Sequence, residues 1–227
     1  MEYLTYGNHK EQFIEVYQTD DNANWLAVVH GGYWRQRIGV EKMHPFVEKL
    51  VHLGFNVVNI EYRRGEHPWP TPETDVQQAL ETFKSSEYFP AEGQLTVIGH
   101  SVGGQLAFNN AQYADYIVAL GPVTDVKFTH DHHLGDDAAL EYFGDASDET
   151  LYQASPLSRL PLNVPTLILH GVDDDKVLID TTFDYIEQNE GDVIDLLAPA
   201  KLDHMIAIEP DMPFFDHMVD WIRNHSL

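Results

Sequence analysis

Short apolar segments that alternate with amphipathic helical patterns are the feature that most restricts the fold of this 227-residue chain. Most of these segments are apolar on both faces, as expected for parallel strands covered by helices on each side of a sheet. The predicted strands are residues 13–17, 25–29, 55–60, 95–98, 116–120, 166–169 and 193–197. The first of them carries an interior charge, so we expect it at an edge of the sheet.

Helical periodicity fills the intervening segments. Apolar residues recur at i, i+3 and i+4 within 43–51, and Gly54 supplies a C-terminal stop. Thr71 and Pro72 predict an N-cap and the first turn of the next helix. Further helices are predicted over residues 103–113, over 181–189 and after Pro213. Strands alternating with helices imply right-handed βαβ units, and therefore an α/β fold with a mostly parallel sheet in one domain over residues 1–227.

One segment departs from this alternation. Residues 125–160 have mixed polarity and lie between two predicted strands. We interpret them as an insertion that forms a small cap or lid. Ligands of such sheets bind beyond the carboxyl ends of the strands, so the insertion is expected to cover the binding site.

Charge and composition exclude several functional classes. Thirteen basic and 37 acidic residues give a formal net charge of −24, which disfavours nucleic acids and anionic membrane surfaces as partners. The same negative field favours neutral or cationic substrates. The chain has no cysteine, no basic-apolar leader pattern at its N-terminus and no apolar run near the roughly 20 residues of a membrane span. We therefore expect a cytoplasmic protein, with a homodimer left open.

The strongest chemical motif is a serine between glycines at a strand-to-helix junction. Gly99, Ser101 and Gly103 form a G-x-S-x-G pattern directly after the strand 95–98 and before a helical segment. Such a turn strains the serine backbone and exposes its hydroxyl above the sheet, while glycines allow close approach of neighbouring chain. The pattern predicts that Ser101 is a catalytic nucleophile.

A serine nucleophile also needs a base and a group that orients the base. His204 lies before the last predicted helix, after the nucleophile and after an acidic loop, which is the chain order of α/β-hydrolases. Asp174 is the preferred acid in the loop after strand 166–169, with Asp173 and Asp175 as alternatives. The spacing of a calcium-binding loop is absent there.

Backbone donors for an oxyanion are expected at two places. Gly31 and Gly32 end the strand 25–29, and the N–H of Val102 follows the serine. N–H groups directed at the developing negative charge would stabilise a tetrahedral intermediate. Tyr33 and Trp34 follow the glycines and are candidate substrate-binding residues, although core packing explains such rings equally well.

These motifs resemble the α/β-hydrolase superfamily, in particular its HGG-type serine esterases, including esterase/lipase-like hydrolases and kynurenine formamidases. The resemblance covers the chain from about Trp25 onward, and the matching segments are 30–34, 61–64, 99–104, 155–157, 170–174 and 203–204. It implies a triad of Ser101, Asp174 and His204 and an oxyanion hole of Gly31, Gly32 and Val102. Val102 stands where many relatives have alanine, which leaves its N–H intact.

The sequence leaves four functional hypotheses. A carboxylesterase for small or aryl esters is favoured, and a kynurenine formamidase is the second hypothesis; both act on small molecules without a cofactor or metal. A peptidase related to prolyl oligopeptidases is less favoured, because no propeller pattern precedes the hydrolase motifs. A metal- or ligand-binding protein without enzyme activity is the last hypothesis, and its candidate ligands are Asp125, His130, His132 and His133.

Overall fold

A central sheet of eight strands forms the framework within residues 1–19 and 24–226, the parts of the chain that this computed structural model describes. The strands are β1 (Glu2–Thr5), β2 (Phe13–Tyr17), β3 (Trp25–Val29), β4 (Asn56–Ile60), β5 (Leu95–His100), β6 (Tyr116–Leu120), β7 (Thr166–Leu169) and β8 (Ile194–Leu197). Their order is β1-β2-β4-β3-β5-β6-β7-β8, with β2 antiparallel to both neighbours and all other pairs parallel. The predicted α/β fold with a mostly parallel sheet is confirmed.

The prediction that residues 13–17 form an edge strand is wrong. β1 pairs with this segment and takes the edge, and β1 escapes sequence analysis because most of its residues are exposed and carry no apolar alternation. The interior charge, Glu15, is buried and accepts a hydrogen bond of 3.0 Å from Asn59 Nδ2. Its carboxylate also lies 3.0 Å from His44 Nε2. Polar partners therefore allow a charge inside the sheet.

Helices cover both faces of the sheet. They are α1 (His44–His52), α2 (Thr71–Lys84), α3 (Val102–Asn109), α4 (Val126–Asp131), α5 (Leu134–Phe143), α6 (Asp148–Ala154), α7 (Ile179–Gln188) and α8 (Pro213–Ser226). Alternate residues of β3 contribute to two cores, one shared with α1 and α8 and the other with α2, α3 and α7. In the described part of the chain, no helix combines the length and apolarity needed to cross a membrane.

Two details differ from the sequence predictions. Thr71 is the first helical residue of α2, and the N-cap position belongs to Pro70, which offers no side-chain acceptor. The segment predicted as a helix over 103–113 is α3 followed by a short 3₁₀ turn at Ala111–Tyr113. Helix boundaries of this kind depend on backbone geometry that periodicity does not fix.

The predicted insertion consists of α4, α5, α6 and a 3₁₀ turn at Pro156–Arg159, all between β6 and β7. Asp125 caps α4 through a 2.9 Å bond from Phe128 N–H, and Ser147 caps α6. The backbone is left-handed at residues 135–137, so the regular part of α5 begins after them. The prediction of one domain over 1–227 stays a prediction, and residues 20–23 and 227 within that range lie outside the described residues.

We predict that Phe46→Ala destabilises the protein by about 3–5 kcal/mol, because it removes a buried ring that joins α1 to α8. Phe46 is 1% exposed and meets Phe215 edge-to-face at 5.3 Å. Urea unfolding of purified variants measures the change. Phe183→Ala is the matched control: this side chain is 47% exposed, so its loss should cost about 0.5 kcal/mol or less. Equal effects of the two substitutions would contradict this account.

Candidate active site

Ser101 occupies a strained turn between β5 and α3. Its backbone has φ 57° and ψ −119°, a conformation that costs free energy in a residue with a side chain. The surrounding structure holds it in place: the Ser101 N–H donates to the carbonyl of Leu120 at 2.9 Å, and the Ser101 carbonyl accepts from Val123 N–H at 3.2 Å. Leu120 is the last residue of β6, and Val123 lies on the loop after it. The neighbouring strand thus fixes the turn.

Close backbone packing explains both glycines of the motif. A Cβ on Gly99 would lie 2.2 Å from the carbonyl oxygen of Gly103, inside the turn itself. A Cβ on Gly103 would lie 2.1 Å from the carbonyl oxygen of Val29 at the end of β3. Both atoms are backbone, so no side-chain movement could relieve either clash. The two glycines therefore let α3 begin directly against β3 and β5.

His204 and Asp174 form a buried pair. The His204 Nδ1–H donates to Asp174 Oδ2 at 2.7 Å, which leaves Nε2 as the nitrogen available to act as a base. The other carboxylate oxygen accepts from the N–H groups of Lys176 and Val177, each at 2.9 Å. Burial raises the pKa of the Asp174 carboxyl, but hydrogen bonds from His170 and His204 outweigh it and hold this pKa well below its usual value.

The two alternative acids have other partners. Asp173 Oδ2 accepts the N–H of Lys201 at 2.7 Å, and Asp175 lies 3.5 Å from the Lys176 ammonium. Both side chains belong to exposed residues, whereas Asp174 is 5% exposed. Of the three consecutive aspartates, the structure brings Asp174 to His204.

His170 holds the loop that carries Asp174 in place, a role that sequence analysis did not identify. Its Nε2 lies 2.8 Å from the carbonyl oxygen of Val177, so this nitrogen carries the proton. The other nitrogen, Nδ1, lies 2.8 Å from the Thr182 hydroxyl, and Nε2 is also 3.4 Å from Asp174 Oδ2. The fully buried imidazole therefore positions the loop that carries the acid. Only its place at the end of a strand could have suggested this.

Ser101 and His204 line one cavity of about 200 Å³. The Ser101 Oγ is buried and has no hydrogen-bond partner among the described residues. Hydrogen bonds between a nucleophile and its base are often loose before substrate binds. His100 also lines the cavity, and its Nε2–H donates to the carbonyl of His204 at 3.1 Å. This bond ties the loop that carries the base to the turn that carries the nucleophile.

The residues expected to supply oxyanion donors lie near Ser101 or in the lining of the same cavity. Gly31 and Gly32 line the cavity. A Cβ on Gly31 would lie 2.8 Å from the Ser101 Cβ and 2.7 Å from the carbonyl oxygen of His100. Val102 is the first residue of α3, and the N–H groups of a first helical turn have no acceptor within their helix. Gly31 thus packs against Ser101, Val102 follows it in the chain, and Gly32 lines the same cavity.

A buried polar network holds the loop that carries Gly31. The carbonyl of His30 accepts from the Tyr62 hydroxyl at 2.8 Å, and the two rings stack at 4.3 Å. The Nε2 atom of His30 lies 3.1 Å from the Glu61 carboxylate, which is also paired with Arg64. Burial raises the pKa of the Glu61 carboxyl, but the hydrogen bond from His30 and the charge of Arg64 outweigh this effect. The net result is a pKa below the usual value. Segment 61–64, noted only as a resemblance, thus has a structural role.

The two candidate substrate-binding residues have different surroundings. Tyr33 lines the cavity, its ring lies 6.4 Å from that of His204, and its hydroxyl donates to the carbonyl of Lys176. Trp34 is 1% exposed and is not among the residues that line the cavity with Ser101. Its indole N–H donates to Gln105 at 3.1 Å, and its ring stacks on Tyr142 of the insertion. Trp34 therefore packs the loop against the insertion.

The histidines of the insertion do not converge on a common point. His130 Nε2 lies 3.1 Å from the Gly144 carbonyl, and His132 stacks on Phe128 at 3.8 Å. His133 pairs with Asp137 at 2.6 Å, and Asp125 is the cap of α4. Among the described residues, the group with metal-ligand spacing is a different one, His9, Glu11 and His67, with ligand atoms within 4.8 Å of one another and away from the cavity.

Fold and site geometry together define an α/β-hydrolase: a serine on a strand-to-helix turn, an acid after β7 and a histidine after β8. The chain belongs to the prolyl oligopeptidase family, whose model matches residues 50–226. The matched segment begins within α1 and includes the serine, the acid and the histidine.

One sequence relative is the kynurenine formamidase of Scheffersomyces stipitis, 29% identical over 123 residues. The match covers 49% of this chain and 43% of the formamidase, so it spans less than half of that protein's length. A truncated carbohydrate esterase from gut microbiota has a similar structure, with a TM-score of 0.83, 18% identity and coverage of 100% of this chain and 96% of that one. The hyperthermophilic esterase of Pyrobaculum calidifontis is also similar, with a TM-score of 0.76 and 20% identity. That match covers 93% of this chain and 79% of the esterase. At these identities the two structures show the fold.

We predict that Asp174→Asn slows covalent labelling of the protein by a fluorophosphonate by about 10³-fold or more, because the amide no longer holds the productive tautomer of His204. Labelling is followed by intact-protein mass spectrometry. Asp173→Asn and Asp175→Asn are the matched controls and should retain rapid labelling, because in the described structure the carboxylate bonded to His204 is that of Asp174. Slow labelling of a control, together with rapid labelling of Asp174→Asn, would reassign the acid.

Proposed function

We propose that this protein is a serine hydrolase that cleaves small or aryl carboxylic esters through an acyl-enzyme. The observation that carries the proposal is the 2.7 Å bond between His204 Nδ1 and Asp174, formed beside a cavity that also holds the unpartnered Ser101 hydroxyl. Serine is a poor nucleophile on its own and needs a base that is oriented by a third group. The proposed triad of Ser101, His204 and Asp174 supplies this arrangement.

In the proposed mechanism, His204 Nε2 takes the proton of Ser101 as Oγ attacks the ester carbonyl carbon. The tetrahedral oxyanion accepts hydrogen bonds from the N–H groups of Val102 and the Gly31–Gly32 loop. His204 then gives its proton to the leaving alkoxide or phenoxide, and the carbon–oxygen bond breaks. A water molecule attacks the acyl-enzyme in the same way and releases the carboxylic acid, which restores Ser101. Asp174 stabilises the imidazolium in both halves without accepting its proton.

The rigidity of the oxyanion loop supports this role. Donors stabilise a transition state best when they are held in place before the reaction, because they then need no reorganisation. Tyr62 and Glu61 fix His30 immediately before Gly31, and Ser101 Cβ leaves no room for a side chain on Gly31. The esterases among the structural neighbours share the fold that places such a loop beside a serine.

Hydrolysis of a formamide is the second candidate function, favoured by the local similarity to kynurenine formamidase. The chemistry is the same acyl transfer with an amine as leaving group, so His204 must protonate nitrogen before the carbon–nitrogen bond breaks. Formyl is the smallest acyl group, so it needs the least space in the cavity beside Ser101. The two candidates therefore differ in substrate and share the residues that act on it.

We predict that the wild-type protein hydrolyses 4-nitrophenyl acetate and that Ser101→Ala lowers kcat/KM by about 10⁴-fold or more, because no acyl-enzyme can form. Ser85→Ala, at the exposed C-terminal end of α2, is the matched control and should keep wild-type activity. Spectrophotometric rates with this ester and with N-formylkynurenine decide between the two substrate classes. A formamide kcat/KM well above the ester value would favour the formamidase, and equal activity of Ser101→Ala and wild type would refute both.

A further inference from the structure

Basic side chains gather around the Ser101 cavity of a strongly acidic protein. Four of the chain's 13 lysines and arginines line it, namely Arg35, Arg37, Lys42 and Lys176, although the chain has 37 acidic residues. Asp136 is the one carboxylate residue in the same lining. The local balance of charge is therefore opposite in sign to that of the chain as a whole.

Two of these cations have protein partners. Arg35 Nε donates to Glu141 at 2.7 Å, and its Nη2 donates to the carbonyl of Asp136 at 2.8 Å. These bonds attach the insertion to the loop after β3. The Lys176 ammonium lies 3.5 Å from Asp175. Both side chains are thus partly neutralised by protein groups.

Arg37 and Lys42 have no such neutralisation. Both residues are exposed, and neither forms an ion pair with any residue in the described ranges 1–19 and 24–226. They follow Gly31 and Gly32 in the segment between β3 and α1, and both line the cavity that these glycines also line. Burial above all, and then His204, lower the pKa of the adjoining His100 to about 3, and the charge of Lys42 acts in the same direction.

Acidic side chains lie on the other side of His204. A neighbouring depression shares His204, Met205 and Lys176 with the cavity and is also lined by Asp173, Asp175 and Asp203. Three of the four cations thus lie on the segment between β3 and α1, whereas Asp173, Asp175 and Asp203 lie with Lys176 on the loops after β7 and β8. A negatively charged group would be attracted to one side and repelled from the other.

We infer that Arg37 and Lys42 bind a carboxylate on the substrate, so that the enzyme selects anionic esters or amides over neutral ones of the same shape. This inference rests on the proposed function of Ser101 and names its substrate class. Guanidinium and ammonium groups both donate charge-assisted hydrogen bonds to carboxylates. The net charge of −24 does not prevent binding, because salt screens exposed charges beyond about 8 Å at physiological ionic strength. The net charge of the chain alone favours neutral or cationic substrates, whereas the cations that line the cavity favour anionic ones.

Two matched pairs of esters test this inference and locate the carboxylate. The acyl-side pair is 4-nitrophenyl hydrogen adipate and 4-nitrophenyl hexanoate, and the leaving-group pair is 4-acetoxybenzoate and its methyl ester. For each pair, the anionic-to-neutral ratio of kcat/KM is measured in wild type and in variants, with Ser101→Ala as the background. The ratio cancels any loss that a variant imposes on both esters.

We predict that Arg37→Gln and Lys42→Gln each lower the ratio of at least one pair by about three- to fivefold, and that the double variant lowers it by about tenfold. Arg37→Glu/Lys42→Glu should lower it further, since a carboxylate then meets like charge. Lys10→Gln is the matched control. It removes an exposed cation between β1 and β2, outside the cavity lining, and should leave both ratios unchanged.

The outcomes separate this inference from the proposed function. A change confined to the acyl pair, or to the leaving-group pair, supports the carboxylate site and places it on that side. Ratios that stay the same in all Arg37 and Lys42 variants overturn the inference, while loss of neutral-ester hydrolysis in Ser101→Ala still supports the proposed function. Full activity of Ser101→Ala overturns the proposed function and the inference with it.

Discussion

The strained turn at Ser101 is the constraint on which the site depends. A side chain at φ 57° is unfavourable, and the turn persists because its backbone is bonded to the end of β6 and packed against the end of β3. The same packing lets α3 begin directly after Ser101, which lines the cavity. Glycine at positions 99 and 103 is the condition for this approach, since any Cβ there would meet backbone atoms. The strained backbone and the placement of Ser101 in the lining of the cavity thus have one origin.

Parallel strands explain how the other groups reach this turn from distant parts of the chain. Their carboxyl ends share one edge of the sheet, so the loops after β3, β6, β7 and β8 all meet near the end of β5. Gly121, directly after β6, illustrates how close this meeting is: a Cβ there would lie 3.1 Å from Asp174 and 3.2 Å from His204 Nδ1. The topology therefore brings the groups near, and local hydrogen bonds set their orientation.

Sequence patterns predicted the parts of this structure that periodicity and motif spacing control. Seven strands and the order of Ser101, Asp174 and His204 follow from apolar runs and from turn residues between them. The edge strand β1 has no sequence signal, because its exposed residues carry no pattern, and the strand 13–17 lies inside the sheet because the partners of Glu15 come from other elements. Trp34 could not be assigned from sequence, since only tertiary contacts distinguish a packed ring from one that lines a cavity.

The supporting network around His30 shows what a motif reading leaves out. Replacing a buried ion pair by apolar groups often leaves stability unchanged, so Glu61 and Arg64 are not explained by stability alone. A glycine-rich loop has little side-chain packing of its own and needs directional bonds to hold one conformation. Tyr62 and Glu61 supply such bonds to the carbonyl and the ring of His30, one residue before Gly31. The buried charges thus help to hold the backbone immediately before Gly31 and Gly32 in one conformation, which apolar contacts alone would define less closely.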